Sequence, residues 1–146
     1  MTGKDIHKIR KLSEKFIRAI RKCDSSELPL SLADFPVESC SDASMLLGSY
    51  FKDNGLGDFD FVKGRRGQGV KLETHYWLQR NTLIVDITAF QFEGIDDEML
   101  ITNTDSEFHN SFEQKIIQQA DYRLIEAPDV ERHLHAVYEY IYQHGL

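Results

Sequence analysis

The run THYWLQRNTLIVDIT, residues 74–88, constrains this chain more than any other stretch. Residues 70–79 and 83–88 are rich in β-branched and aromatic side chains, and they meet near Asn81, which predicts an antiparallel hairpin. If Arg80 pairs with Leu83 across Asn81 and Thr82, Trp77 lies opposite Asp86 and His75 opposite Thr88. Side chains alternate across a strand, so His75 and Asp86 then share one face and sit diagonally within reach of each other. A slip of one residue turns Asp86 to the opposite face and separates the pair.

Helical patterns flank the strands. In residues 4–22, Ile6, Ile9, Leu12, Phe16, Ile17 and Ile20 fall in one stripe roughly 140° wide, suited to packing on a core. Residues 24–35, punctuated by Ser25, Ser26 and Pro29, read as a connector inside the domain. A second helix is expected from Cys40, with Ser39 as N-cap and Asp42 in a capping-box-like position, or from Pro36 with Asp34 as cap. Ala43, Leu46, Leu47, Tyr50 and Phe51 lie on its Cys40 side, and the Asn54-Gly55 pair ends it. Residues 58–64 alternate as a strand. Arg65 to Gly69 form a glycine-rich loop that leads into a strand rather than a helix, which disfavours a phosphate cradle. Short strands are expected at 99–102 and 122–125, a short helix at 111–119, and a last helix from Pro128 to Gln143 with Val130, Leu134, Val137, Tyr138 and Ile141 inward. Helices before and after hairpin-linked strands predict an α+β fold with an antiparallel sheet.

With 146 residues the chain suits one domain, residues 1–146: a helix at 4–22, a connector at 24–35, a core at 36–92 and a C-terminal region at 93–146. Its 41% hydrophobic and 28% charged content is that of a folded chain, and no apolar run approaches a membrane span. The first residues lack the apolar segment of a secretory signal, so a cytoplasmic setting with reduced Cys23 and Cys40 is expected. Residues 1–22 hold eight Lys and Arg against two Asp and Glu, a charge of +6, whereas the rest of the chain carries −13. An acidic body disfavours a nucleic-acid partner. There is no second Cys/His cluster at zinc-finger spacing, so neither a structural metal nor a cofactor is expected.

Cys40, His75 and Asp86 together carry a chemistry. A thiol attacks as thiolate, and a helix N-terminus and a neighbouring imidazolium both favour the anion. His75 is suited to take the thiol proton and return it to a leaving group, with Asp86 holding the imidazole in one tautomer. An aspartate between Val85 and Ile87 also needs a partner if it is buried. Cys23 has no evident role. His133 and His135, two apart on a helix, point different ways and chelate poorly. His109 near Glu107 reads as isolated, and His7 and His144 as surface residues.

The texts SCSDASMLLGSYF, HYWLQ and VDIT resemble the transglutaminase-like, papain-related cysteine domains over residues 35–92. That compact Cys–His–Asp order is also similar to the leader-peptide proteases of lasso-peptide biosynthesis. The resemblance implies a papain/transglutaminase-like fold, with Cys40 as nucleophile, His75 as base and Asp86 as orienting group. It also suggests Gln91, just beyond the Asp strand, and Trp77 as oxyanion or substrate contacts. Glu38 and Ser41 stand where many members have Gly and Trp, and Tyr76 where Ala is usual, so the substrate pocket is expected to differ. The expected function is thiol-dependent acyl transfer on amide bonds of a protein or peptide, as protease, deamidase or transglutaminase-like enzyme. The alternative is a non-catalytic interaction module on the same fold.

Overall fold

The computed structural model describes residues 3–33, 35 and 40–146. Helix α1, Gly3–Lys22, buries Ile9, Leu12, Phe16, Ile17 and Ile20 of the predicted stripe, with Ile6 half-buried, while its lysines and arginines lie outside. The expected connector contains a short helix, α2, Leu30–Ala33, whose Leu32 is buried. Two buried leucines, Leu28 and Leu32, within a polar connector show no period, so the sequence pattern did not reveal the helix.

Helix α3, Cys40–Asp53, begins at the expected cysteine; the proposed caps Ser39 and Asp34, with Pro36 and Glu38, lie outside the described residues. All nine residues from Ala43 to Phe51 are buried, so α3 is the central helix, enclosed on every side. Gly55, at φ +83°, takes the left-handed turn that ends it.

Five antiparallel strands follow: β1 Asp60–Arg66, β2 Glu73–Arg80, β3 Leu83–Asp86, β4 Leu100–Asn103 and β5 Glu113–Gln119, in the spatial order β4-β3-β2-β1-β5. The hairpin has the predicted register, with Arg80 opposite Leu83, Gln79 opposite Ile84 and Leu78 opposite Val85. Asn81 makes the turn at φ +54°. Strand β1 runs two residues past the expected end, through Arg65 and Arg66, because β2 and β5 pair with it on both sides.

Several expectations fail beyond residue 92. The helix proposed at 111–119 is instead strand β5 on the sheet's edge. The strand proposed at 122–125 is a 3-10 turn, Tyr122–Leu124, capped by Asp121, whose carboxylate accepts the Arg123 N–H at 3.0 Å. A further short helix, α4, Glu107–Asn110, was not anticipated. The last helix, α5, Pro128–His144, buries Leu134, Val137, Tyr138 and Ile141, but Val130 in its first turn is exposed, beyond the contact with the core.

The sheet buries both faces. Phe61, Leu78 and Val85 join residues of α1, α3 and α5 in the main core. On the other face Val62, Trp77 and Ile84 pack with Phe112, backed by Phe92 and Phe108. Helix α3 approaches Ala120 closely: a Cβ on Gly48 would stand 2.3 Å from the Ala120 Cβ and 2.5 Å from its carbonyl oxygen. Alanine inside a helix is intrinsically favoured by roughly 1 kcal/mol over glycine, but overpacking against backbone costs about 1–3 kcal/mol. Gly48→Ala is therefore expected to destabilise the protein, by about 1–2 kcal/mol net, read as a lower urea midpoint at unchanged slope.

Candidate functional site

The face of β2 that carries Trp77 also carries His75, and Asp86 ends β3 on that same face. Their side chains meet as the register predicts: His75 Nε2 lies 2.7 Å from Asp86 Oδ2, with both residues fully buried. The other carboxylate oxygen, Oδ1, accepts the backbone N–H of Thr88 at 3.1 Å. The chain turning back after β3 thus fixes the carboxylate from one side while the imidazole fixes it from the other.

Asp86 has a second imidazole partner. His109, on α4, places Nε2 2.8 Å from the same Oδ2 and is itself fully buried. Its Nδ1 lies 2.7 Å from Ser106 Oγ, and that oxygen also accepts the His109 backbone N–H at 3.3 Å as the cap of α4. His109 is therefore not isolated, as its local sequence suggested, but part of the cluster. A carboxylate buried between Val85 and Ile87 signals a need for several donors, since one imidazole leaves acceptor sites empty. Nothing near residue 109 identifies it as the second donor, 23 residues along the chain.

Aromatic rings enclose the cluster. Phe92 meets the His75 ring edge-on at 4.9 Å, and Trp77 packs 4.7 Å from His109. Outside this shell the Arg66 guanidinium lies 4.3 Å from the Phe112 ring centroid and donates to Ser111 Oγ at 2.7 Å. Trp77 is fully buried, packed inside the cluster, and Gln91 is half-buried on the 3-10 turn Ala89–Gln91 that follows β3.

Cys40 opens α3, the helix packed on the other face of the sheet. The β2–β3 ladder ends at Leu78 and Val85. In a two-residue hairpin Arg80 bonds toward its partner strand, so Leu78 and Tyr76 face the same way, and β3 has no residue for Tyr76. The open Tyr76 carbonyl instead accepts the hydroxyl of Ser44, on α3, at 3.4 Å. Cys40 is one helical turn before Ser44 on the same side, and His75 is one residue before Tyr76. Cys40 is half-buried and unoxidised, as is Cys23 at the end of α1 in being a free thiol. It stands outside the hydrogen-bonded cluster: His75 Nδ1 is buried without a partner at ordinary hydrogen-bond geometry. Cys40 bears on the imidazole as one contributor to its raised pKa.

Burial opposes a charge on His75, but the charge and hydrogen bond of Asp86, with a further contribution from Cys40, outweigh it and raise the imidazole pKa to about 9. Burial likewise opposes ionisation of Asp86, yet the charge of His75 and the hydrogen bonds from His109 and His75 bring its pKa down to about 2. An imidazolium–carboxylate pair at neutral pH is the consequence. Among the described residues, His75, Asp86 and His109 are also the one group of potential metal ligands whose atoms converge, within 4.8 Å. Their separations from Oδ2 are those of hydrogen bonds, which account for the convergence without an ion. The chain matches no protein-family model, no curated protein and no solved structure.

Stability should track these ionisations. The His75 contribution is complete below the ordinary imidazole value of 6.5 and is lost as pH rises through about 9. The Asp86 contribution is complete above the ordinary 3.8 and is lost as pH falls through about 2. Denaturant titrations across pH are expected to show a plateau from about 4 to 6.5 with decline on either side. Asp86→Ala strands two buried imidazoles and should cost about 3–5 kcal/mol, flattening both flanks of that profile.

Proposed function

We propose that the chain is a thiol-dependent acyl-transfer enzyme acting on amide bonds of a protein or peptide, with Cys40 as nucleophile, His75 as acid–base and Asp86 as orienting group. The observation that carries this reading is the buried His75–Asp86 bond at 2.7 Å. A core histidine needs one satisfied partner; an imidazole held by a carboxylate, together with a cysteine at a helix start, supplies the groups that nucleophilic catalysis requires. The raised pKa of His75 supplies, at neutral pH, the cation beside which a thiolate works.

In this reading the Cys40 thiolate forms a bond to the amide carbonyl carbon, and the carbonyl electron pair moves to oxygen. Backbone N–H groups at the first turn of α3 suit that oxyanion. As the oxyanion collapses the C–N bond breaks, and the His75 imidazolium gives its proton to the departing amine. The now neutral imidazole then deprotonates water or a second amine, which attacks the thioester and releases the thiolate. Water makes the reaction hydrolysis and an amine makes it transamidation; the two share every step up to the acyl-enzyme. Asp86, bonded to His75, His109 and the Thr88 backbone, serves in this reading as an electrostatic partner of the imidazole.

Cys40→Ala, with circular dichroism unchanged, should abolish turnover of amide substrates, by roughly 1,000-fold or more. The companion measurement needs no substrate: alkylation of Cys40 by iodoacetamide should be faster than that of free cysteine near pH 7 and should slow in His75→Ala. Alkylation at the free-cysteine rate, indifferent to His75, would reject the catalytic reading in favour of an interaction module.

A further inference from the structure

The catalytic reading uses one of the two imidazoles that Asp86 holds. His109 is left over: fully buried, enclosed by Trp77 and Phe108, and bonded at both ring nitrogens. A histidine needed only for packing would be better served by another aromatic residue in such a shell, since each buried polar atom requires a partner. Its two bonds have a direction. The carboxylate is an acceptor, so His109 Nε2 carries the proton that faces Asp86. Ser106 Oγ takes the His109 backbone N–H and has its own hydrogen to give to Nδ1. The assigned chain therefore runs Ser106 O–H to His109 Nδ1, and His109 Nε2–H to Asp86 Oδ2.

Two imidazole N–H groups thus compete for one carboxylate oxygen. Each donor withdraws electron density from the oxygen that the other shares, so His109 both fixes the carboxylate's orientation and moderates its hold on His75. We propose that His109, set in its tautomer by Ser106, is a positioning residue that orients Asp86 and tunes how tightly it grips the His75 proton. The role resides in the buried Ser106–His109–Asp86 chain and reaches the thiol only through His75. It rests on the triad reading of Cys40, His75 and Asp86. The groups facing His75 are Asp86 of β3, His109 of α4 and Cys40 of α3. Tyr76 adjoins it on β2, Asp42 lies in the first turn of α3, and Arg66 of β1, paired with Glu73, lies beyond the aromatic shell.

The test is the His75 imidazole titration, followed by nitrogen-15 NMR in the full chain, with Cys40 alkylation measured on the same samples. His109→Phe fits an aromatic shell and removes the donor. Asp86 then has His75 as its one imidazole partner, and the His75 midpoint should move up by about one pH unit. His109→Gln, which restores an N–H donor, should return it toward the parent value. Ser106→Ala, a milder change outside the shell, should give a smaller shift in the same direction and keeps the question open to measurement if His109→Phe does not fold. In the unsubstituted protein the His109 spectrum should show the proton on Nε2. A folded His109→Phe or Ser106→Ala variant with an unmoved His75 midpoint, or a His109 proton on Nδ1 at neutral pH, overturns the proposal. Those failures differ from failure of the triad: if His75→Ala leaves Cys40 alkylation unchanged, the catalytic reading falls, and His109's role in it falls too, whatever the midpoints.

Discussion

A carboxylate without access to water has to be solvated by the protein around it, and the structure on this side of the sheet follows from that demand at Asp86. Removing an ionised carboxylate from water costs several kcal/mol unless donors replace the lost hydration. The donors come from three places: the backbone after β3, a side chain on β2 and a side chain on α4. Meeting all three at once ties the hairpin register, the turn after residue 86 and the placement of α4 to one another. The aromatic shell of Trp77, Phe92, Phe108 and Phe112 then keeps the dielectric low, which strengthens each of those bonds and makes each harder to lose.

The early end of the β2–β3 ladder has a comparable reach. Helix α3 packs on the opposite face of the sheet from His75. Because pairing stops at Leu78 and Val85, the Tyr76 carbonyl is open to Ser44, which ties α3 to the strand that carries His75. Burial of α3 on every side, with Gly48 against Ala120, holds that contact in place.

What could be read beforehand depended on local periodicity. The stripe of α1, the buried face of α3 and the alternation of β2 and β3 each repeat over several turns or residues, and all three were legible. Strand β5, EQKIIQQ, was not. Its Glu, Gln and Lys favour helix intrinsically, and Ile116 and Ile117 are both largely exposed, so no face marks it. It is a strand because β1 offers it an unpaired edge, a requirement set by residues about fifty positions earlier. The single-turn features, α2, α4 and the 3-10 turn at Tyr122–Leu124, were missed for a related reason: one turn of helix shows no period.

The sequence by itself determined the central pairing. A two-residue turn at Asn81 and a period of two fix which residues of β2 and β3 share a face, and so bring His75 to Asp86 without reference to the rest of the chain. It likewise determined that a cysteine opens the helix enclosed by the core. Only the tertiary structure decided that Asp86 holds a second imidazole and that the Tyr76 carbonyl takes the Ser44 hydroxyl. Both are contacts between segments distant along the chain, selected by where the sheet leaves a donor, an acceptor or a gap unfilled, and no local pattern encodes a vacancy that another segment will fill.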